Sequence, residues 1–178
     1  MKKLRAFRHS LKEGNFISEN GYILINANKE KFPKTNLIFT SSYTRTVQTA
    51  CAILEIIKMP KHKLMIIESL GCENVEDRIC RNKIFLELYR ENPDEEIYQL
   101  LKKSFSENEI SEMEKDCFLS IWSCFARMKD DETAIAIGHS FFISMAANHV
   151  IGQRKYGNME ELDYIDFEKE DEEITVKF

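Results

Sequence analysis

Short apolar runs alternate with longer stretches of helical spacing along the chain. Leu4 to Phe7 is the first run and predicts a strand, and the polar loop "RHSLKEGN" follows it with Gly14 as a turn residue. "SENGYILINANKEKF" places Ser18 as an N-cap before Tyr22 and Ile25 and closes on basic residues, which predicts a helix. Leu37 to Phe39 predicts a second strand ending in two hydroxyl residues. After it, Val47, Ala50, Ile53, Leu54 and Ile57 recur at helical spacing, so a turn and an amphipathic helix come next. Pro60 stops that helix, and "KLMII" reads as another short buried strand bounded by Glu68 and Gly71.

From Val75 to Met128 the pattern is helical almost throughout, broken at "ENPDE" and "SFSENE". Ile110, Met113, Phe118, Ile121, Trp122 and Phe125 predict a long last helix there. Residues 72–108 are read as a small helical insertion over the active site and not as a second domain. Thr133 to Ile137, small and β-branched, predicts the clearest strand of the chain, ending in Gly138 and His139; "FFISMAANHV" continues as an apolar helix. The tail alternates apolar and polar residues around the solvated acidic turn Glu168 to Glu173, which predicts a closing β-hairpin. Strands alternating with helices predict a three-layer α/β/α sandwich around a mainly parallel central sheet. Ligands bind such sheets beyond the carboxyl ends of the strands.

Composition narrows the function. With 178 residues, 43% of them hydrophobic, the chain is sized for a single domain spanning residues 1–178. A net charge of -5 argues against nucleic acid or an anionic membrane as partner, while leaving room for a local cationic pocket. The start, "MKKLRAF", lacks the apolar run of a secretory signal, and the longest apolar-looking run, "CFLSIWSCFA", is about half a membrane span and is broken by serines. Cys51, Cys72, Cys80, Cys117 and Cys124 are odd in number and form no C-x-x-C pair. They read as small core hydrophobes in a reducing cytoplasm. No metal site and no cofactor is expected.

Three predicted strand ends carry chemistry: Arg8 and His9 after the first, Ser41, Ser42 and Arg45 after the second, and His139 after "TAIAI". Each alone is most simply a surface or solvated residue. If the strands are parallel neighbours, all reach one edge and form a cationic pocket, to which the first turn of the Arg45 helix adds backbone N–H groups. A phosphoryl group matches that chemistry, because its oxygens accept the fork of a guanidinium. His62 and His149 belong to no motif and read as non-catalytic.

With these residues in view, the chain resembles the histidine phosphatase superfamily, which includes the cofactor-dependent phosphoglycerate mutases. "FRHS" stands where the family has a strand leading to Arg-His-Gly. "TSSYTRTVQTA" looks like its Ser-Pro-Leu-x-Arg-Ala-x-Gln-Thr-Ala, matching at Ser41, Arg45, Gln48, Thr49 and Ala50, and "AIAIGHS" looks like its strand ending in His-Gly. The resemblance implies a phosphoglycerate mutase-like fold with His9 as nucleophile, carrying a transient phosphohistidine. Arg8, Arg45 and His139 would hold the phosphoryl oxygens, and Asn15, seven positions after Arg8, would be a phosphate contact unless it is a plain turn former. Ser10 and Ser140 replace family glycines, and Ser42 replaces a proline. Each new hydroxyl either donates to a phosphate oxygen or crowds it, and Ser140 is counted with the phosphate-binding residues. The resemblance also implies a glutamate that protonates the leaving alcohol, for which Glu68 and Glu73 are the candidates unless both are plain surface glutamates, with Glu73 favoured because Leu70 resembles the apolar residue preceding the family's acid.

The expected activity is therefore phosphomonoester hydrolysis, without a metal, on a small phosphorylated substrate or a phosphoprotein. Phosphoglycerate mutase-type phosphotransfer is disfavoured by the short chain and modest insertion. A phosphohistidine protein phosphatase, whose leaving imidazole needs less help from a glutamate, and a degenerate non-catalytic binder of a phosphorylated ligand are the other readings.

Overall fold

Backbone alternation decides which face of the sheet each side chain meets. The computed structural model describes residues 1–59, 61–93 and 95–177. In chain order its elements are β1 (Lys2–Arg8), β2 (Lys12–Glu13), β3 (Phe16–Ile17), α1 (Glu19–Ala27), β4 (Leu37–Thr40), α2 (Thr44–Ile57), β5 (Lys63–Ile66), α3 (Glu73–Arg81), α4 (Lys83–Glu91), α5 (Ile97–Ser104), α6 (Glu107–Phe125), β6 (Thr133–Gly138), α7 (Ser140–Ile151), β7 (Tyr164–Glu170) and β8 (Glu173–Lys177), with 3-10 turns at Lys29–Lys31 and Glu68–Gly71. Six strands form one sheet in the order β5-β4-β6-β1-β7-β8. β5, β4, β6 and β1 run parallel, and the closing hairpin adds β7 and β8 antiparallel.

On one face Phe7, Ile38, Ile135 and Ile137 pack with Ile25 of α1 and Ala50 and Ile53 of α2. On the other, the smaller Ala6, Ala134 and Ala136 leave room for α6 and α7, which contribute Met113, Cys117, Ile121, Met145 and Ala146. Each fully buried isoleucine or phenylalanine here contributes roughly 1.5–3 kcal/mol of transfer free energy. The result is the expected three-layer sandwich. Among the described residues no helix is long and apolar enough to cross a membrane.

Several boundaries differ from the sequence pattern. The polar loop after β1 contains the β2–β3 hairpin, turned by Gly14 at φ +59°; two-residue strands are too short to show a period. The helix begun by Ser18, whose hydroxyl accepts the Gly21 N–H, ends at Ala27 and does not reach Phe32. β5 is not a buried strand but the sheet edge, where Lys63 and Ile66 are exposed. A break at Asn82 separates α3 from α4, because the Asn82 side chain accepts the Phe85 N–H and starts a new helix. The breaks around 91–95 and at Ser106, which forms a capping box with Glu109, stand where the pattern puts them; Pro60 and Asp94 lie outside the described residues. Cys51 and Cys80 are exposed, so only Cys72, Cys117 and Cys124 are core residues.

Candidate active site at the strand ends

Parallel pairing brings the three strand ends together. Arg8 is in register with Gly138; just beyond, the His9 N–H donates to the Gly138 carbonyl at 3.0 Å, and the Ser41 N–H to that of Ile137 at 3.3 Å. The rings of His9 and His139 consequently lie with centroids 5.2 Å apart. Arg45, in the first turn of α2, reaches the same place, where its Nη2 donates to His139 Nδ1 at 3.4 Å.

Two protonation states follow from the hydrogen bonds. His9 Nδ1–H donates to the Ser10 carbonyl at 2.7 Å, which leaves the lone pair on Nε2. Burial, reinforced by the charges of Arg45, Arg8 and Lys12, outweighs that hydrogen bond and lowers the His9 pKa to about 4. His139 is lowered further, to about 3, by burial and then by Arg45, His9, Lys12 and Arg8. Both rings are neutral near neutral pH. Because a guanidinium only donates, His139 Nδ1 is the acceptor and its proton sits on Nε2. That Nε2 and Arg45 Nε are buried donors with no hydrogen-bond partner among the described residues. Leaving a buried donor unpaired costs about 1–3 kcal/mol, and a charged one more, so an acceptor that reached these two donors would relieve that cost.

The motif residues around them build the frame. Thr49 Oγ1 accepts the Ser10 N–H at 3.2 Å and donates to the Arg45 carbonyl at 2.8 Å, tying the His9 loop to α2. Gln48 Oε1 accepts the Ile17 N–H and anchors the β2–β3 hairpin, while Ser41 and Thr46 share a hydroxyl hydrogen bond under the start of α2. Ser10 does not enter the pocket. Its hydroxyl donates to the Gly21 carbonyl at 2.8 Å, and Gly21 must be glycine because a β-carbon there would meet the Leu11 carbonyl oxygen at 2.4 Å. Neither Ser10 nor Ser140 lies among the residues with positive φ, so a β-carbon is accepted at both without left-handed strain.

The other predicted positions are less uniform. Arg8 contributes charge to the pocket, but its guanidinium is held by the Met159 carbonyl and by Glu161 at 2.6 Å. Ser140 is half-buried as the first residue of α7, next to His139. Asn15 is exposed in the β2–β3 turn. Glu68 is exposed at the start of the 3-10 turn, and Glu73, the first residue of α3, is exposed as well, though the Tyr43 hydroxyl feels its charge. The sequence pattern does not point to Lys12, Tyr43, Glu76 or Glu161. For Tyr43 a signal was present: it stands where the resembled motif has leucine.

No family model and no curated protein matches the chain by sequence. Solved structures do match its fold over nearly their whole length. Phosphoserine phosphatase from Entamoeba histolytica, in complex with 3-phosphoglyceric acid, superposes with a TM-score of 0.69 at 13% identity, covering 100% of this chain and 96% of that one. Phosphoglycerate mutase from Bacillus anthracis gives 0.65 at 14% identity over 98% and 91% of the two chains. The mycobacterial glucosyl-3-phosphoglycerate phosphatase, in complex with VO3, gives 0.65 at 12% over 99% and 98%. The chain thus has the phosphoglycerate mutase-like fold that the resemblance implied.

Proposed function

We propose that the chain is a phosphomonoester hydrolase working through a phosphohistidine on His9. The observation that carries this reading is a neutral histidine, its Nδ1–H committed to the Ser10 carbonyl, beside two unpaired buried donors, Arg45 Nε and His139 Nε2. The His9 Nε2 lone pair forms a bond to phosphorus as the P–O ester bond breaks, and the alkoxide leaves as an alcohol by taking a proton. Water then attacks phosphorus, the P–N bond breaks, and inorganic phosphate departs as the water proton passes to the acid's conjugate base. Arg45 and His139 donate to the phosphoryl oxygens as charge builds, each worth about 3 kcal/mol of transition-state stabilisation. Arg8, Lys12 and Ser140 are read as further support for the anion, and Asn15 as a contact from the hairpin.

Glu73 is the proposed proton donor; supporting it over Glu68 is its charge acting on the Tyr43 hydroxyl, next to Arg45 and His139. Residues 72–108 are proposed to close over the site, since α3 starts there. A small phosphorylated molecule is the proposed substrate class. Structures of this fold include a phosphatase named for phosphoserine and another for glucosyl-3-phosphoglycerate. The cytoplasm is the proposed location, in keeping with five unpaired cysteines.

The test is hydrolysis of p-nitrophenyl phosphate and of a panel of small phosphomonoesters in the presence of a chelator. Wild type turns over; His9→Ala does not. Glu73→Gln loses about 100-fold in kcat on alkyl phosphates while Glu68→Gln stays near wild type. Full activity in His9→Ala would remove the nucleophile from the scheme. Loss in Glu68→Gln alone would transfer the acid role.

A further inference from the structure

We propose that Tyr43 is a positioning residue of this pocket: its ring packs against His139 and Arg45 and holds both in place, with the hydroxyl hydrogen bond to Glu76 of α3 a minor support. The proposal rests on the phosphate-binding reading above and concerns groups that reading does not use. Tyr43 immediately precedes α2, and its carbonyl accepts the N–H groups of Thr46 and Val47 at 3.0 and 3.1 Å, so its backbone is fixed. Its ring meets that of His139 edge to face, with centroids 4.9 Å apart and planes at 87°. The Arg45 guanidinium carbon lies 4.9 Å from the centre of the same ring. One aromatic surface therefore touches both residues that carry the unpaired donors. An edge-to-face contact and a cation–π contact each fix an orientation that an aliphatic side chain would not.

The ring is itself located from outside the pocket. The Tyr43 hydroxyl donates to Glu76 Oε2 at 2.5 Å, a hydrogen bond that pushes the phenol pKa up to about 12, with burial and the charge of Glu73 acting in the same sense. Gly71 clears the space beneath it, since a β-carbon at that position would come within 3.0 Å of Tyr43 Cε2. Ring and tether have different weights. The ring faces half-buried groups, while the hydroxyl contact is exposed to solvent and contributes less.

The experiment uses the whole chain, with inorganic phosphate as the probe and the His139 ring proton followed by NMR. In wild type His139 stays neutral at all pH values above about 5, as its buried environment requires. Tyr43→Leu and Tyr43→Met solvate the ring, so His139 takes up a proton above about pH 5 and phosphate binds about tenfold more weakly. Tyr43→Phe restores both to within about threefold of wild type, and Glu76→Gln behaves like Tyr43→Phe. Tyr89→Phe, an exposed phenol on α4, changes neither. A folded Tyr43→Leu or Tyr43→Met with unaltered His139 titration and phosphate affinity would overturn the proposal; so would a Tyr43→Phe as damaged as Tyr43→Leu, which would place the effect in the hydroxyl. The His139 titration needs no turnover. A wild type that neither binds phosphate nor hydrolyses esters therefore refutes the functional reading while leaving the titration to decide on Tyr43.

Discussion

Two regions bury arginine among other polar groups, and their hydrogen bonding differs. Beside α6 and α7, Arg154 donates through Nε to Glu114 at 2.9 Å and pairs with Glu107, and Tyr98 donates to the same Glu114 oxygen at 3.1 Å. An open groove of about 850 Å³ runs past this cluster. At the strand ends, Arg45 faces two neutral histidines, with no carboxylate paired to it among the described residues and two donors left over. The first arrangement is closed: its arginine is paired with carboxylates of the chain itself. The second leaves its positive charge and two buried donors unbalanced, and of the two regions it is the one whose hydrogen bonding asks for an anion. A spacious groove is therefore a poorer guide to chemistry here than an unbalanced set of donors.

Breaking the contrast with matched substitutions gives the largest effects. Arg45→Met lowers kcat/KM by about 10³-fold while changing unfolding free energy by less than about 1 kcal/mol. Arg154→Met does the reverse, leaving a buried carboxylate uncompensated at a cost on the order of 3 kcal/mol with kcat/KM unchanged. Steady-state kinetics and denaturant melts on both variants check this, and an Arg154→Met variant that lost activity but not stability would erase the distinction.

Acid sharpens it next. His9 must be unprotonated to attack, and its pKa in the free protein is about 4, so the acid limb of kcat/KM falls near pH 4 and not near the ordinary histidine value. Stability moves with the same groups. Unfolded histidines bind protons below about pH 6.5 while the folded His9 and His139 resist, so stability is full above that pH and is lost as pH falls toward 4 and 3. In His9→Asn the stability curve is flatter between those limits. An equally steep curve would contradict the burial account.

The smallest effect belongs to Ser10. Since its hydroxyl serves the Gly21 carbonyl, Ser10→Gly costs about 1 kcal/mol of stability and alters kcat less than about threefold. A large kinetic change there would mean that the serine acts on the substrate after all.

The strand ends could be read from sequence because each motif residue follows directly on a short apolar run, and parallel pairing then has few ways to avoid collecting Arg8, His9, Arg45 and His139. Lys12 was hidden in a hairpin of two-residue strands, with no period to betray it. Glu76 and Glu161 reach the site by long-range contacts from α3 and from the segment after α7, to Tyr43 and Arg8 respectively. Spacing along the chain carries no trace of such contacts. The direction of the Ser10 hydroxyl is equally a tertiary matter, decided by how closely α1 approaches at Gly21.

The central claim is covalent, and so is its most direct test. Wild-type protein quenched in alkali and denaturant during turnover of a phosphomonoester should carry an alkali-stable, acid-labile phosphoryl group on the peptide containing His9, absent from His9→Ala. Turnover without any such adduct on that peptide, or an equal adduct in His9→Ala, would contradict the account.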